Sequence, residues 1–224
     1  RGARLDINAR SLTAAFALFL YAMAFSLAYL RLSAGTGALI LFGAVQISMI
    51  GYGVARGQRP SSIQWAGIAA ALAGLVYLFA PGIAAPPVAF AILMALAGAA
   101  WGAYSLLGRG EADPVAATAR NFALALPFAL FLFAAPVSRH MTGEGLALAI
   151  ASGAIASGAG YVLWYRALRG LSPVTAAVVQ LAVPAIAALG GVALLGEPMT
   201  MRLVIAAALI LGGIFAAGMG AKAQ

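Results

Sequence analysis

The chain has 224 residues, of which 64% are apolar and only 8% are charged, and its mean hydropathy is +1.03. Soluble domains carry about 25% charged residues, and a domain of this length leaves roughly a third of its unfolded surface exposed to water. The composition therefore excludes a soluble enzyme, a secreted module and a disordered tail. It indicates a protein that crosses a membrane several times.

The net charge of +8 comes from 13 Lys and Arg residues against 5 acidic ones. The basic residues are scattered over short connections and form no run interleaved with aromatic residues, so we expect no nucleic-acid partner. The chain contains no cysteine, which excludes disulfides, thiolate metal sites and thiol catalysis. We expect neither a metal nor a cofactor.

Eight runs of about 20 apolar residues each predict membrane-spanning helices. They are continuously apolar and about twice as long as the alternating strands of a membrane β-barrel. Short connections with turn residues separate them, such as Pro81-Gly82 and Leu171-Ser172-Pro173. In chain order, the predicted spans are Ser11–Leu30, Gly35–Ala55, Ile63–Ala80, Val88–Leu107, Val115–Ala135, Leu146–Tyr165, Val174–Leu195 and Met201–Met219.

The arginines and the lysine predict the orientation, because basic residues concentrate in cytoplasmic loops. If the connections alternate between the two sides, one side carries three basic residues, which are Arg31, Arg139 and Arg202. The other side carries ten, which are Arg1, Arg4, Arg10, Arg56, Arg59, Arg109, Arg120, Arg166, Arg169 and Lys222. The bias predicts that both termini of this chain are cytoplasmic.

The chain also contains an internal repeat with an offset of 139 residues. Its clearest part is a Leu-Ser-x-x-Thr block that begins at Leu32 and again at Leu171. The matched pairs are Leu32/Leu171, Ser33/Ser172, Thr36/Thr175, Ala38/Ala177, Ile47/Ile186, Gly51/Gly190, Gly57/Gly196, Leu72/Leu211 and Gly74/Gly213.

This offset corresponds to five helices, an odd number, so the second copy must run through the membrane upside down. The sequence therefore predicts an all-α membrane protein whose eight helices are helices 3–10 of a 5+5 inverted-repeat fold. Residues 1–87 would be a first repeat that lacks its two N-terminal helices, and residues 88–224 a complete second repeat.

Inverted repeats are typical of secondary transporters, which bind substrate near mid-membrane at the repeat interface. The repeat thus favours alternating access, and we expect a small-molecule substrate, a lipid bilayer around the protein, and a monomer or homodimer. A passive channel or facilitator and a non-transporting scaffold remain alternatives. An enzyme is disfavoured, because the sequence has one histidine and no nucleophile–base or metal-ligand constellation.

The stretch from Gly160 to Thr200 joins a Tyr-rich helix, a Leu-Ser-Pro turn, a helix with a mid-span proline at Pro184, and a Leu-Gly-Glu sequence ending at Glu197. It resembles the hallmark stretch of EamA-type transporters in the drug/metabolite transporter superfamily. The resemblance implies a multi-pass exporter of small metabolites, amino acids or drugs in the bacterial inner membrane. Gln58 departs from the pattern, since the family usually has Glu there.

Polar amides near mid-span and aromatic side chains that share helix faces are the candidates for substrate binding, although such groups also bridge helices or form interfacial belts. The candidates are Trp101, Tyr104, Gln180, Tyr161, Gln46, Tyr21 and Asn121. Trp164 and Tyr165 lie near a span end, so we expect them in a belt. Pro184 and Pro127 are candidate hinges, and Glu197 is a candidate cap for the last helix.

Overall fold

The computed structural model describes residues 7–82, 85–133 and 142–222. Within these ranges the chain forms helices and no strands. The helices are α1 (Ala9–Ala28), α2 (Ala34–Ala55), α3 (Ser62–Phe79), α4 (Val88–Gly108), α5 (Pro114–Phe133), α6 (Gly143–Leu168), α7 (Pro173–Leu195) and α8 (Met201–Lys222). The all-helical, polytopic prediction is confirmed.

Seven of the described helices are long and apolar enough to cross a membrane, and they match seven of the predicted spans. The eighth predicted span, Val115–Ala135, coincides with α5, although its last two residues lie outside the described residues. Two helices are less regular than the sequence predicts. The wider π-type turns of residues Ala151–Ala159 interrupt α6, and α7 breaks between Val179 and Ala182.

The two copies of the Leu-Ser-x-x-Thr block build the same helix start. Ser33 Oγ accepts a hydrogen bond from the Thr36 backbone N–H at 3.3 Å, and Ser172 Oγ accepts one from Thr175 N–H at 3.1 Å. In each copy the two hydroxyl oxygens lie 3.0 Å apart. A serine at this position satisfies one of the free N–H groups at the start of a helix, so these serines fix where α2 and α7 begin.

The same two helices also end alike. Gly57 and Gly196, which the 139-residue shift pairs, are the glycines with positive φ among the described residues, at +89° and +69°. The following residue in each copy donates its backbone N–H back to the preceding helix, Gln58 to Gly53 O at 3.0 Å and Glu197 to Gly191 O at 3.2 Å. Left-handed glycines close helix C-termini in this way.

Helices α3 and α8 pack antiparallel along most of their length. A methyl group added at Gly67 would lie 2.5 Å from the Gly213 carbonyl oxygen, and one added at Gly213 would lie 2.5 Å from the Gly67 oxygen. Gly74 and Gly220 are similarly close to the partner helix. Small residues allow this close backbone approach.

At one end of the bundle, arginine side chains donate hydrogen bonds to backbone carbonyls and so link the start of α1, the α4–α5 connection and the α6–α7 connection. Arg10 Nη2 donates to Leu107 O at 2.6 Å, Arg109 donates twice to Leu171 O at 3.1 and 2.8 Å, and Arg169 Nε donates to Glu111 O at 3.2 Å. We call this the arginine-rich end. The placement agrees with the predicted alternation of the helices, while Arg1, Arg4 and Arg139 lie outside the described residues.

Helices α2 and α7 contact each other near one end of the bundle only, and this arrangement positions the site. The first half of α7 packs against α2, and Gln46 Nε2 donates to Ala177 O at 2.7 Å in this contact. Closer to the arginine-rich end, Val174 packs against Gly53. The second half of α7 packs instead against α8. The two helices therefore meet at the arginine-rich end and separate toward the opposite end.

Candidate substrate cavity

A cavity of about 940 Å³ lies between the separated parts of α2 and α7. Helix α2 contributes apolar side chains to its wall, and α7 contributes the residues around its break. Aromatic side chains from α1, α4 and α6 complete it. The residues that matter for its chemistry are Tyr21, Phe42, Val45, Trp101, Ser157, Tyr161, Trp164 and Gln180.

Trp101 is the centre of the aromatic wall. Its ring centroid lies 5.0 Å from that of Tyr21 and 5.1 Å from that of Tyr161. These separations are within the range in which aromatic pairs attract each other. The indole N–H of Trp101 donates to Oε1 of Gln180. The contact joins the aromatic wall to α7.

Gln180 occupies the break in α7. Its side chain is 5% exposed, and its Nε2 donates to Ala176 O at 3.2 Å and lies 3.1 Å from Met49 Sδ. Pro184 has no N–H with which to bond the Gln180 carbonyl four residues earlier. The carbonyl instead accepts from Val183 N–H at 3.1 Å. The proline and the turn at Gln180–Leu181 thus form one irregular segment beside the cavity.

A buried polar layer lies behind the aromatic wall, toward the arginine-rich end. Tyr104 is fully buried, and its ring centroid lies 5.7 Å from Trp101 and 5.1 Å from Tyr165. The Tyr165 hydroxyl donates to Tyr104 O at 3.4 Å and accepts from Asn121 Nδ2 at 3.2 Å. This layer separates the cavity from the arginine-rich end.

The sequence profile of the EamA-like transporter family matches residues 88–219, more than half of the chain. The chain belongs to the EamA-like transporter family.

Two further similarities agree with this assignment. A protein of Pseudomonas aeruginosa, described as uncharacterized protein PA1977, is 53% identical over 201 residues, which are 89% of this chain and 70% of that protein. A crystal structure of a protein that is 22% identical to this chain has a TM-score of 0.82, covering 97% of this chain and 79% of the other. The second similarity establishes the fold alone.

Membership in the EamA-like family and the seven membrane-length helices identify a multi-pass membrane protein with a transporter fold. The family is one of transporters rather than of enzymes. Among the described residues, no group of three His, Asp or Glu side chains could hold a metal ion.

The structure brings four of the seven predicted binding residues of this EamA-like protein to the cavity wall: Tyr21, Trp101, Tyr161 and Gln180. Tyr104 lies one layer behind them. The amides of Gln46 and Asn121 are 3% and 1% exposed and bond to protein groups away from the wall.

Three aromatic residues differ from the sequence interpretation. Tyr165 is 1% exposed and lies inside the bundle, so its expected place in an interfacial belt is wrong. Trp164 lines the cavity and donates its indole N–H to Ser105 Oγ at 3.0 Å. Phe42 was not predicted. It precedes Gln46 by one helical turn, so the shared face could have indicated it.

The remaining candidates do not line the cavity themselves. Pro127 is inside α5 and exposed, whereas Pro184 is buried. The Glu197 carboxylate lies against Gly191 in the last turns of α7. Thr200 Oγ1 accepts from Leu203 N–H at 3.2 Å at the start of α8. The cap of the last helix is therefore made by Thr200, and Glu197 covers the end of the preceding helix.

The cavity wall has aromatic faces, apolar groups, a few hydroxyls and one amide, but no Asp, Glu, Lys, Arg or His. Such a surface can stack against flat rings and attract delocalised cations through the aromatic faces. It offers no counter-ion for a carboxylate or a compact ammonium group.

Proposed function

We propose that this EamA-like protein is a secondary transporter that moves small organic solutes by alternating access. The observation that carries the proposal is the cavity between α2 and α7, which closes at the arginine-rich end and widens toward the other. A binding chamber that is sealed on one side is what one half of an alternating cycle requires. An open pore would instead need a continuous polar path.

Closure at the arginine-rich end rests on several layers. Nearest the cavity is the Tyr104–Tyr165–Asn121 layer, followed by the contact of Gly53 with Val174. Farthest out are the arginine side chains that bind the carbonyls of neighbouring connections. This depth of packing favours a closed gate over a narrow constriction.

The paired features of the two helix ends support the 5+5 inverted-repeat reading, with residues 1–87 in the first repeat and 88–224 in the second. The caps at Ser33 and Ser172 and the left-handed Gly57 and Gly196 all obey one offset of 139 residues. Close contacts between α3 and α8 obey the same offset, since Gly74 faces Ala206 O and Gly213 faces Gly67 O. Exchanging the two repeats maps each of these contacts onto the other.

The inverted repeat also offers an explanation for the exposed surface of α6. Helix α1, its counterpart in this reading, packs along α4 and α5. No part of the most apolar stretch of α6 is buried inside the described structure. In a 5+5 arrangement its partners would be two helices placed before α1 in the chain.

The substrate class follows from the cavity wall. Because it has no fixed charge, we propose that it takes neutral or delocalised cationic solutes with a flat aromatic or apolar body, with one polar group bonded to Gln180. Free amino acids fit less well, since their carboxylate and ammonium groups would lose hydration without a partner.

The direction we propose is export across a bacterial inner membrane, with the arginine-rich end in the cytoplasm, as its basic residues favour. Single cysteines can test the sidedness, because the chain has none of its own. A cysteine at Gly110 should react with an impermeant maleimide only after cells are opened. Reaction in intact cells would reverse the orientation.

The transport proposal is tested by flux into proteoliposomes. The panel should contain labelled aromatic cations, neutral aromatic metabolites and amino acids. Saturable uptake that is accelerated by unlabelled substrate on the opposite side would support alternating access. Linear uptake without such acceleration would indicate a passive channel, and no flux of any compound would contradict transport.

Two variants localise the site. Trp101→Ala and Gln180→Ala should raise the half-saturating concentration without reducing the amount of folded protein. Leu148→Ala is a matched control, since Leu148 is 63% exposed, lies on α6 and is not among the residues that line the cavity. Unchanged kinetics in both site variants would contradict the assignment of this cavity.

A further inference from the structure

One contact that closes the arginine-rich end has equivalent residues at the opposite end of the bundle. At that end, the residues do not contact each other in this structure. We propose that Glu197 is a latch, and that its carboxylate accepts a hydrogen bond from the Gly35 backbone N–H when the cavity closes on that side. The inference rests on the proposed alternating access, and it assigns a positioning role to Glu197.

The existing contact is made by Gln58. Its Oε1 accepts from the Val174 backbone N–H at 3.4 Å, in the first turn of α7. Gln58 directly follows the left-handed Gly57, and its amide oxygen also lies against Gly53 near the end of α2. The side chain therefore joins the end of α2 to the start of α7 where these helices meet.

The residues that make this contact have counterparts 139 residues away, and the surface that the side chain covers matches to within one residue. Glu197 follows the left-handed Gly196, as Gln58 follows Gly57. Its carboxylate lies against Gly191 near the end of α7, one residue before the position equivalent to Gly53, which the Gln58 amide contacts. Gly35 occupies the position in the first turn of α2 that Val174 occupies in α7, and equivalent serine caps precede both.

In this conformation the second contact is not made. If Gly35 carried a side chain, the atoms closest to its first carbon would be those of Phe79. The second half of α7, which leads to Glu197, packs against α8 rather than α2. If the repeats exchange conformations, the first half of α2 must approach the second half of α7, which brings Glu197 to Gly35.

The two latches differ in strength. A carboxylate accepts stronger hydrogen bonds than an amide does, and a negative charge is favoured at a helix N-terminus. Glu197 should therefore hold its gate more firmly than Gln58 holds the arginine-rich gate. The stronger contact would offset the arginine–carbonyl bonds of the arginine-rich end, so that both closed states can be populated.

Disulfide trapping tests the latch while Glu197 stays in place. We would introduce Ala34→Cys with Pro198→Cys at the opposite end, and the equivalent pair Pro173→Cys with Arg59→Cys at the arginine-rich end. The second pair should cross-link readily in the resting protein. The first should cross-link in a fraction that falls about fivefold with Glu197→Ala, as expected for loss of a net hydrogen bond, and is retained with Glu197→Gln.

The control pair Ala34→Cys with Arg59→Cys should not cross-link, because the two positions lie at opposite ends of α2, about 30 Å apart at about 1.5 Å per residue. The latch would be overturned if the first pair did not cross-link, or if its cross-linked fraction were unchanged by Glu197→Ala. These readouts need no substrate. A protein that cross-links as expected but moves no solute would contradict the transport proposal and leave the latch standing.

Discussion

The indole N–H of Trp101 donates a hydrogen bond to Oε1 of Gln180, the residue at which α7 breaks. One partner belongs to the aromatic wall, and the other belongs to the segment in which Pro184 removes a helical hydrogen bond. A solute that stacks on Trp101 therefore touches a side chain that is bonded to the irregular part of α7. In the proposed transport cycle, this pair would couple substrate binding to the shape of α7.

A double-mutant cycle measures that coupling. Trp101→Phe keeps a ring but removes the donor, and Gln180→Met keeps the length but removes the acceptor. We expect the two stability losses to be non-additive by about 0.6 kcal/mol, the average for side-chain hydrogen bonds between membrane helices. The measurement is the unfolding free energy in detergent for both single variants and the double variant.

Trp164→Phe is the matched control for this cycle. The Trp164 indole also lines the cavity, but its N–H donates to Ser105 rather than to Gln180. Its effect should add to that of Gln180→Met. Coupling of the same size in the control cycle would show that general repacking, not the Trp101–Gln180 bond, accounts for the result.

A substitution in the buried layer behind the wall should lower the stability of the protein without changing its affinity for substrate. Asn121→Leu removes the donor to the Tyr165 hydroxyl in a place where the amide is 1% exposed. We expect a loss of about 1–2 kcal/mol of stability, typical of a broken buried hydrogen bond, with an unchanged half-saturating substrate concentration. A thermal-unfolding series measured beside transport kinetics checks both quantities. A raised half-saturating concentration without destabilisation would place Asn121 in contact with substrate.

The sequence predicted the helices well because each is a long apolar run bounded by turn residues, as with Ser33 and Ser172. It also predicted which aromatic residues share a face, since Trp101 and Tyr104 are three positions apart. It could not tell which member of such a pair faces the cavity. That depends on how α4 rotates against α1 and α2, where Gly98 and Gly102 pack closely on α2.

The break in α7 was only half visible in the sequence. Pro184 indicated an irregularity, but the actual turn lies at Gln180–Leu181, one helical turn earlier, where the carbonyl that Pro184 cannot bond accepts from Val183 N–H instead. The π-type turns of α6 were not visible at all. Alanine, glycine and serine in residues Ala151–Ala159 are compatible with a regular helix, so the wider turns depend on the surroundings rather than on local propensity.

Replacing either left-handed glycine with alanine should lower stability through backbone strain alone, without an effect on packing. Neither Gly57 nor Gly196 has an atom within 4 Å of the position where a side chain would start. Gly57→Ala and Gly196→Ala should therefore each cost about 1–2 kcal/mol through backbone strain alone. Gly51→Ala, which is equally open but helical, should cost nothing. Equal effects at all three positions in thermal unfolding would contradict the left-handed assignment.

The crossing of α3 and α8 gives the opposite case, in which packing rather than backbone conformation decides. A methyl group at Gly67 or Gly213 would lie 2.5 Å from a backbone oxygen of the partner helix, and no flexible side chain can move aside. We expect Gly67→Ala and Gly213→Ala each to destabilise the protein by about 1–3 kcal/mol, as overpacking does. Gly212→Ala, one residue away in open space, should be neutral or slightly stabilising because alanine favours the helix. The comparison is made by thermal unfolding in one detergent.

Since Gly67 and Gly213 oppose each other at one contact, the double variant should lose less stability than the sum of the single losses. An additive double variant would mean that the helices do not cross where these two backbones meet.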